Sequence, residues 1–257
     1  MTELDLAGRV VIVTGAGRGI GRGVARYLGG AGASISVGEY NPRRLDRISE
    51  ELAALGVDTL ATGCDVRVRA DLDGLVAATV ARFGRVDAIV NNAMTFPVPR
   101  PLVELPEEDL DLAYSSAVKA TVWAMQAVHP HMKAAGGGRI VNVGSAAGVV
   151  GFPGFAAYAA AKEAVRAITR SAAREWAADG IVVNCYCPAS FEARTSQGPV
   201  NPFVQASHDR FWHQHPMARV GDAERDIGPV VAFLCSDACR YMTGETLMID
   251  GGTNTWA

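Results

Sequence analysis

The chain has 257 residues, of which 49% are hydrophobic and 20% are charged, and its formal net charge is −3. This composition is typical of a globular protein large enough for one α/β domain. The weakly acidic balance argues against nucleic acid or an anionic membrane as a partner. No apolar run approaches the roughly 20 residues of a membrane span, and no N-terminal signal precedes the first strand-like run. Five cysteines in apolar patterns indicate core thiols, so we expect a cytoplasmic protein.

The stretch Val10–Gly21, with the sequence VVIVTGAGRGIG, joins a β-branched run to a glycine-rich turn and then to a helical pattern. Such a unit directs backbone N–H groups and the positive end of a helix dipole at one point, which binds phosphate. Glycine is needed because a Cβ would block the tight turn and the approach of a pyrophosphate. A glycine-rich turn without a ligand is the alternative. The predicted cofactor-binding residues of this loop are Gly15, Arg18, Gly19, Ile20 and Gly21.

Strand-like and helical patterns alternate along most of the chain. The predicted strands are Val10–Thr14, Ser34–Glu39, Thr59–Asp65, Ala88–Asn91, Arg139–Gly144, Ile181–Cys187 and Thr246–Ile249. The amphipathic stretches between them include Pro42–Leu55, Ala70–Phe83, Leu110–Ala135 and Ala156–Ala178. Repeated β–α–β units predict a Rossmann-type, doubly wound parallel β-sheet of about seven strands with helices on both faces, in one domain over residues 1–257. Ligands of such sheets bind at the carboxyl ends of the strands.

The second predicted strand ends at Glu39, 20 residues after Gly19. An acidic side chain at this distance accepts hydrogen bonds from the adenosine ribose hydroxyls. A carboxylate there repels a 2′-phosphate, so we expect NAD rather than NADP as the cofactor. Arg43 and Arg44 follow closely, and they either hold such a phosphate or form ordinary surface charge with the acidic residues around them.

The third and fourth predicted strands also end in polar residues. Asp65, followed by Val66, is a candidate acceptor for the adenine amino group, and a helix N-cap is the equally weighted alternative. The next strand ends in Asn91-Asn92-Ala93, where Asn92 and Ala93 are expected to line the cofactor. A purely structural role for Asn92, which ties neighbouring loops together, is the alternative.

Ser145 follows the fifth predicted strand, and Tyr158 and Lys162 lie on the same face of the next long helix because they are four residues apart. A tyrosine has an ordinary pKa of about 10 and is a poor base at neutral pH. A neighbouring ammonium favours the phenolate and lowers that pKa. This pattern predicts that Tyr158 exchanges a proton with an alcohol or carbonyl oxygen, which the Ser145 hydroxyl holds.

These motifs together resemble the short-chain dehydrogenase/reductase family over nearly the whole chain. The glycine turn Thr14–Gly21 matches the family's TGxxxGxG loop, Asn91-Asn92-Ala93 matches most of its NNAG motif, and residues 242–252 are similar to its last strand. The resemblance implies a nicotinamide cofactor and a catalytic set of Ser145, Tyr158 and Lys162. It further implies that Tyr158 and Lys162 contact the cofactor, with Lys162 on the nicotinamide ribose.

Several positions depart from the family pattern. Met94 stands where the NNAG motif has its glycine, and Ala117 stands where the family has a catalytic asparagine, with Ser115 and Ser116 beside it. A serine hydroxyl or a water is the expected substitute for that asparagine. Pro188 and Phe191 are the expected cofactor contacts after the sixth strand, where Ala193 replaces the family's carboxamide-binding threonine and Thr195 lies nearby.

Residues 191–221 break the β–α alternation, and we expect this segment to cover the substrate pocket as a lid. Its aromatic residues, among them Phe203, Phe211 and Trp212, favour an apolar or cyclic substrate. His213 and His215 have no accompanying carboxylate pattern, so we expect no metal site.

The leading hypothesis is an NAD(H)-dependent oxidoreductase that interconverts a secondary alcohol and a ketone. The departures from the family pattern leave open a dinucleotide-binding protein with little or no catalysis. An NADPH-dependent reductase of 3-oxoacyl thioesters is the third hypothesis. The expected partners are a small-molecule substrate and, because family members are frequently tetramers, further copies of this chain in a homo-oligomer (tetramer or dimer).

Overall fold

A computed structural model of the protein describes residues 5–190 and 216–254. These residues form one parallel seven-stranded sheet in the order β3-β2-β1-β4-β5-β6-β7. The strands are β1 (Val10–Thr14), β2 (Ser34–Glu39), β3 (Thr59–Gly63), β4 (Ala88–Asn91), β5 (Gly138–Val143), β6 (Ile181–Pro188) and β7 (Thr246–Ile249). The predicted doubly wound sheet is therefore confirmed. The direction of winding reverses between β1 and β4, which is where such sheets bind their ligands.

Helices connect successive strands and cover the sheet. They are α1 (Gly19–Gly30), α2 (Pro42–Ala54), α3 (Arg69–Phe83), α4 (Glu107–Ala113), α5 (Ala120–Ala134), α6 (Ala146–Val150), α7 (Ala156–Trp176) and α8 (Gly228–Cys235). Two larger apolar clusters form most of the core, one with α1 and α8 and the other with α3, α5 and α7, and a smaller third cluster joins α7 to Ala113 and Ala117. Because helices cover both faces, β1 is buried at all five of its positions, as its β-branched sequence predicts.

The predicted single helix Leu110–Ala135 is wrong in one respect, because a π-helical turn at Tyr114–Lys119 separates α4 from α5. The hydroxyls of Ser115 and Ser116 both donate to the Leu112 carbonyl oxygen, at 3.1 and 2.7 Å. Serine hydroxyls that bond the preceding turn compete with the regular backbone pattern of a helix. Periodicity alone did not reveal this insertion, since the apolar spacing continues through it.

A buried polar chain fixes α7 against the sheet. The Asn91 amide donates to Asn142 Oδ1 at 2.8 Å, and the Asn142 amide donates to Thr169 Oγ1 at 2.9 Å. These three side chains join β4, β5 and α7, and Asn142 and Thr169 are fully buried. Satisfied polar networks of this kind hold packed elements in one arrangement. The carboxyl end of β5 is thereby held against the helix that carries Tyr158 and Lys162.

In the described ranges, no helix is long and apolar enough to cross a membrane. All five cysteines are free and buried, as the sequence predicts. Most of the predicted lid lies outside the described residues, including Phe203, Phe211, Trp212 and the histidines.

Candidate active site

The turn between β1 and α1 has the backbone conformation that phosphate binding needs. Gly15 and Gly19 have positive φ angles of 66° and 55°, a region that favours glycine. Arg18 precedes α1, and a guanidinium cannot accept hydrogen bonds from the first N–H groups of that helix. Those N–H groups, from Gly19, Ile20 and Gly21, are the donors that a pyrophosphate requires. The residues present therefore fit the dinucleotide that the motif implies.

Asn92 ties this turn to the end of β4. Its side-chain amide donates to the backbone oxygens of Thr14 at 3.0 Å and Gly15 at 3.2 Å. The Thr14 hydroxyl in turn accepts from the backbone N–H groups of Asn92 and Ala93, both at 3.1 Å. A Cβ on Gly21 would overlap the Asn92 amide and the Gly15 carbonyl. The structural role considered for Asn92 is thus realised, and Ala93 lies beside the turn.

Glu39 lies at the end of β2 and is already bonded to the glycine turn. One carboxylate oxygen accepts from the Gly17 N–H at 3.0 Å, and the other accepts from the Asn41 N–H at 3.0 Å. Its side chain is almost fully buried, which holds the charge at the strand end. Arg44 packs on the other side, where a Cβ on Gly17 would lie 2.6 Å from the Arg44 Cβ. Arg44 therefore lies close to the glycine turn and to Glu39, and its role as a phosphate ligand stays a prediction.

Arg18 adds a second cation to this end of the site. Burial, followed by repulsion from Arg44, lowers the pKa of Arg18, and attraction by Glu39 opposes this shift. The surroundings of Arg18 thus combine the Glu39 carboxylate with a second guanidinium, that of Arg44.

Asp65 is not the helix N-cap considered as its alternative role, and its contact with an adenine amino group stays a prediction. β3 ends at Gly63 rather than at Asp65, and α3 follows Val68, so Asp65 is not the N-cap of that helix. Its carboxylate accepts from the Arg67 guanidinium at 2.6 Å and from the Arg67 N–H at 3.0 Å. The Arg67 side-chain hydrogen bond is the main reason why the pKa of Asp65 is lowered. An adenine amino group would share this carboxylate with Arg67, while the buried Val66 remains a candidate apolar contact.

Ser145 begins α6 directly after β5. Its Oγ accepts a hydrogen bond from the Ala147 N–H at 3.1 Å, which makes it the N-cap of this short helix. A hydroxyl that accepts one hydrogen bond still has its own proton to donate. The cap fixes the position of the oxygen, and the proton is available to a substrate oxygen.

Lys162 is buried at the same strand end. Its Nζ donates to the Val143 carbonyl at 2.7 Å, two residues before Ser145, and lies 5.9 Å from the centre of the Tyr158 ring. Burial lowers the pKa of Lys162 to about 8, and the neighbouring thiols of Cys185 and Cys187 oppose this shift. Two of the three Nζ protons remain for other partners. The structure therefore brings the three predicted catalytic residues to one end of the sheet.

An aromatic side chain that sequence reasoning missed lies against Tyr158. The ring centres of Phe96 and Tyr158 are 4.7 Å apart, and Phe155 is 6.4 Å from Tyr158. The only sequence signal for Phe96 is its position shortly after the Asn-Asn-Ala-Met segment, where the chain leaves the sheet edge.

The position of the missing asparagine is apolar. Ala117 is buried and packs with Ala157 and Ala161, which flank Tyr158 along α7. Met94 packs against the same cluster, so its bulk is accommodated there. The expectation that a serine hydroxyl replaces the asparagine is not supported, because Ser115 and Ser116 direct their protons at the Leu112 carbonyl.

Pro188 ends β6 and is partly buried at the same edge of the sheet. Its predicted companion Phe191 lies outside the described residues, as do Ala193 and Thr195. Over the two described ranges, no group of three or more His, Cys, Asp or Glu side chains has the arrangement of a metal site.

Comparisons with known proteins agree with this geometry. A family profile described as enoyl-(acyl carrier protein) reductase matches residues 15–254. A 12alpha-hydroxysteroid dehydrogenase of Clostridium sp. is 35% identical over 252 residues, covering 95% of this chain and 96% of that protein. A 3-oxoacyl-[acyl-carrier-protein] reductase of Staphylococcus epidermidis is 34% identical, covering 94% of this chain and 97% of that protein. The solved structure of a 7 alpha-hydroxysteroid dehydrogenase with NADH and 7-oxo glycochenodeoxycholic acid is 30% identical with a TM-score of 0.89, covering 97% of this chain and 95% of that chain.

The chain belongs to the short-chain dehydrogenase/reductase family. The resemblance inferred from the motifs is thereby confirmed, and with it the assignment as an oxidoreductase. The roles of the individual site residues remain predictions.

We expect Gly21→Ala to weaken NADH binding by at least about tenfold, which is about 1.4 kcal/mol. The new Cβ would overlap the Asn92 amide and the Gly15 carbonyl, so the phosphate turn must shift. Gly30→Ala is the matched control, because it lies in the same helix and a Cβ there would meet no atom within 4 Å. Fluorescence titration measures the NADH affinity of both variants. Equal affinities for the two variants would contradict the expectation.

The lowered pKa of Lys162 also predicts that the stability of the protein depends on pH. Its pKa is about 8 in the folded protein, below the ordinary value of 10.5, so the unfolded chain binds more protons between these pH values. Relative to Lys162→Met, the wild-type free energy of unfolding should therefore rise between about pH 8 and 10, by up to about 3 kcal/mol. Urea unfolding at several pH values measures this difference. The exposed Lys119→Met controls for net charge, and a pH-independent difference for Lys162→Met would contradict the prediction.

Proposed function

We propose that this protein is an NAD(H)-dependent oxidoreductase that interconverts a secondary alcohol and a ketone on an apolar or cyclic substrate. The Lys162 contact carries the proposal. Its ammonium bonds the Val143 carbonyl at 2.7 Å, close in sequence to Ser145, and stands over the Tyr158 ring. This arrangement supplies a cation, a phenol and a hydroxyl at the sheet edge that also carries the glycine turn.

The proposed chemistry assigns one task to each residue. Tyr158 takes the hydroxyl proton during alcohol oxidation and returns it to the carbonyl oxygen during reduction. The charge on Lys162 favours the phenolate, and its remaining protons bind a ribose hydroxyl. Ser145 donates to the reacting oxygen and stabilises the charge that develops on it. A bound nicotinamide supplies the hydride chemistry, accepting a hydride from the alcohol carbon or donating one to the carbonyl carbon.

We infer that NAD is preferred to NADP. The Glu39 carboxylate is fixed by two backbone N–H groups at the place where the ribose hydroxyls are expected, so a 2′-phosphate would approach a buried negative charge. Two related proteins support the substrate class, since both are named as dehydrogenases of hydroxysteroids, which are cyclic alcohols.

A reductase of 3-oxoacyl thioesters that uses NADPH is the second candidate. Arg18 and Arg44 beside Glu39 favour it, because guanidinium groups bind phosphate. The 34% identity to the staphylococcal reductase is nearly as high as the identity to the hydroxysteroid enzyme. The third hypothesis, a dinucleotide-binding protein with little catalysis, is motivated by Ala117.

We also propose a homo-oligomer, tetramer or dimer. Leu102, Val103, Leu110 and Tyr114 are exposed around α4, and apolar side chains grouped on one surface commonly mark interfaces between subunits. The free cysteines are consistent with the proposed cytoplasmic location.

Tyr158→Phe tests the catalytic role. We expect turnover of cyclic ketones with NADH to fall by about 10²- to 10⁴-fold, because the variant lacks the transferable proton. NADH affinity should change little. Tyr241→Phe, which alters a fully exposed tyrosine, is the control. If Tyr158→Phe retained wild-type turnover, the proposed mechanism would be excluded, and if the wild type bound NADH but reduced no carbonyl compound, the binding-protein hypothesis would be favoured.

Glu39→Gln tests the cofactor preference. The amide keeps the size of the side chain but removes its charge, so the ratio of NADP to NAD dissociation constants should fall by about tenfold or more. Glu50→Gln on the exposed face of α2 is the control for net charge. An unchanged ratio would argue against the electrostatic explanation, and a wild type that already prefers NADP would favour the second candidate.

A further inference from the structure

Phe96 and Phe155 contact the Tyr158 ring, and Phe152 contacts Phe155. We call these three phenylalanines, Phe96, Phe152 and Phe155, the aromatic wall. The ring centres of Phe96 and Tyr158 are 4.7 Å apart, those of Phe96 and Phe155 are 5.8 Å apart, and those of Phe152 and Phe155 are 6.4 Å apart. The planes are tilted or perpendicular, the arrangements that aromatic pairs prefer. The ring contacts thus run from the proposed proton donor through Phe96 and Phe155 to Phe152.

Two chain segments build this wall and are bonded to each other. Phe96 comes from the segment after β4, and Phe152 and Phe155 come from the turn between α6 and α7. The Arg100 N–H donates to the Gly154 carbonyl at 3.0 Å, which joins the two segments. The Arg100 guanidinium lies 3.0 Å from the Asp109 carboxylate, so its charge is matched. The wall is therefore held in place and presents apolar rather than ionic surface.

The members of the wall differ in exposure. Phe155 is 9% exposed and, with Tyr158, lines a small cavity together with Pro97, Pro99 and Leu105. Phe96 is 41% exposed although its ring contacts Tyr158. An exposed aromatic ring beside a reacting hydroxyl is a contact surface for whatever that hydroxyl binds.

We propose that Phe96 determines substrate specificity by packing against the carbon ring of a cyclic ketone or alcohol. This inference rests on the proposed function, because it places the substrate oxygen at Tyr158. Because the ring centres of Phe96 and Tyr158 are 4.7 Å apart, a ring attached to that oxygen would pack against Phe96. A rigid apolar ring loses little conformational entropy when it packs there. A flexible open-chain ketone with the same number of carbons gains less from the same contact.

The test compares cyclohexanone with 2-hexanone, which have equal numbers of carbon atoms. For Phe96→Ala we expect kcat/KM on cyclohexanone to fall by about tenfold, mainly through a higher KM, since a lost ring contact weakens binding. On 2-hexanone the change should remain below about twofold. Phe96→Tyr keeps the ring and should retain most of the preference. Phe83→Ala, which removes a phenylalanine at the end of α3, is the matched control.

Equal losses on both ketones, or a shifted pH profile of kcat/KM, would overturn the proposal by showing that Phe96 positions Tyr158 instead. An unchanged ratio of kcat/KM on cyclohexanone to kcat/KM on 2-hexanone in Phe96→Ala would also overturn it. If the wild type reduced neither ketone, the proposed function would be in question while Phe96 remained testable by calorimetric titration of the NADH complex. Tighter binding of cyclohexanone than of 2-hexanone, lost in Phe96→Ala, would then support the ring contact, and its absence would refute it.

Discussion

The buried ammonium of Lys162 is the contact on which the candidate site depends. Removing a charge from water is unfavourable, and the lowered pKa of Lys162 reflects that cost. The Val143 carbonyl offsets part of it by accepting a hydrogen bond at the end of β5. This bond holds α7 and β5 together at the place where the proposed chemistry occurs. Lys162 Nζ thus both holds α7 against β5 and supplies the charge that the proposed chemistry requires.

The carboxyl ends of β1 and β4 also shape the candidate site. Parallel strands end together, and the reversal of winding between β1 and β4 opens a crevice there. Thr14 and Asn92 bond the two strand ends to each other and keep the glycine turn in position. Gly21 allows this close packing because it lacks a Cβ. These contacts hold the backbone of the glycine turn against the end of β4.

Two departures from the family pattern lie beside α7, next to Tyr158. Ala117 and Met94 replace residues of the family motifs with apolar packing against α7. The neighbouring aromatic wall continues this apolar character toward solvent. The ribose end, in contrast, is strongly charged through Glu39, Arg18 and Arg44. A charged region around Glu39 and an apolar region around Tyr158 match the division that the proposed oxidoreductase of an apolar ketone needs.

The sequence by itself determined the elements whose signals are local. The β-branched run of β1, the glycine turn and the four-residue spacing of Tyr158 and Lys162 depend on neighbours within a few residues, and each was predictable. Only the tertiary structure decided the pairing of Asp65 with Arg67, the π-helical turn at Tyr114–Lys119 and the contact of Phe96 with Tyr158. The first two involve sequence neighbours, but they depend on side-chain hydrogen bonds, which apolar periodicity does not record. The third joins residues 62 positions apart, and no periodicity along the chain records a contact made by packing two separate loops.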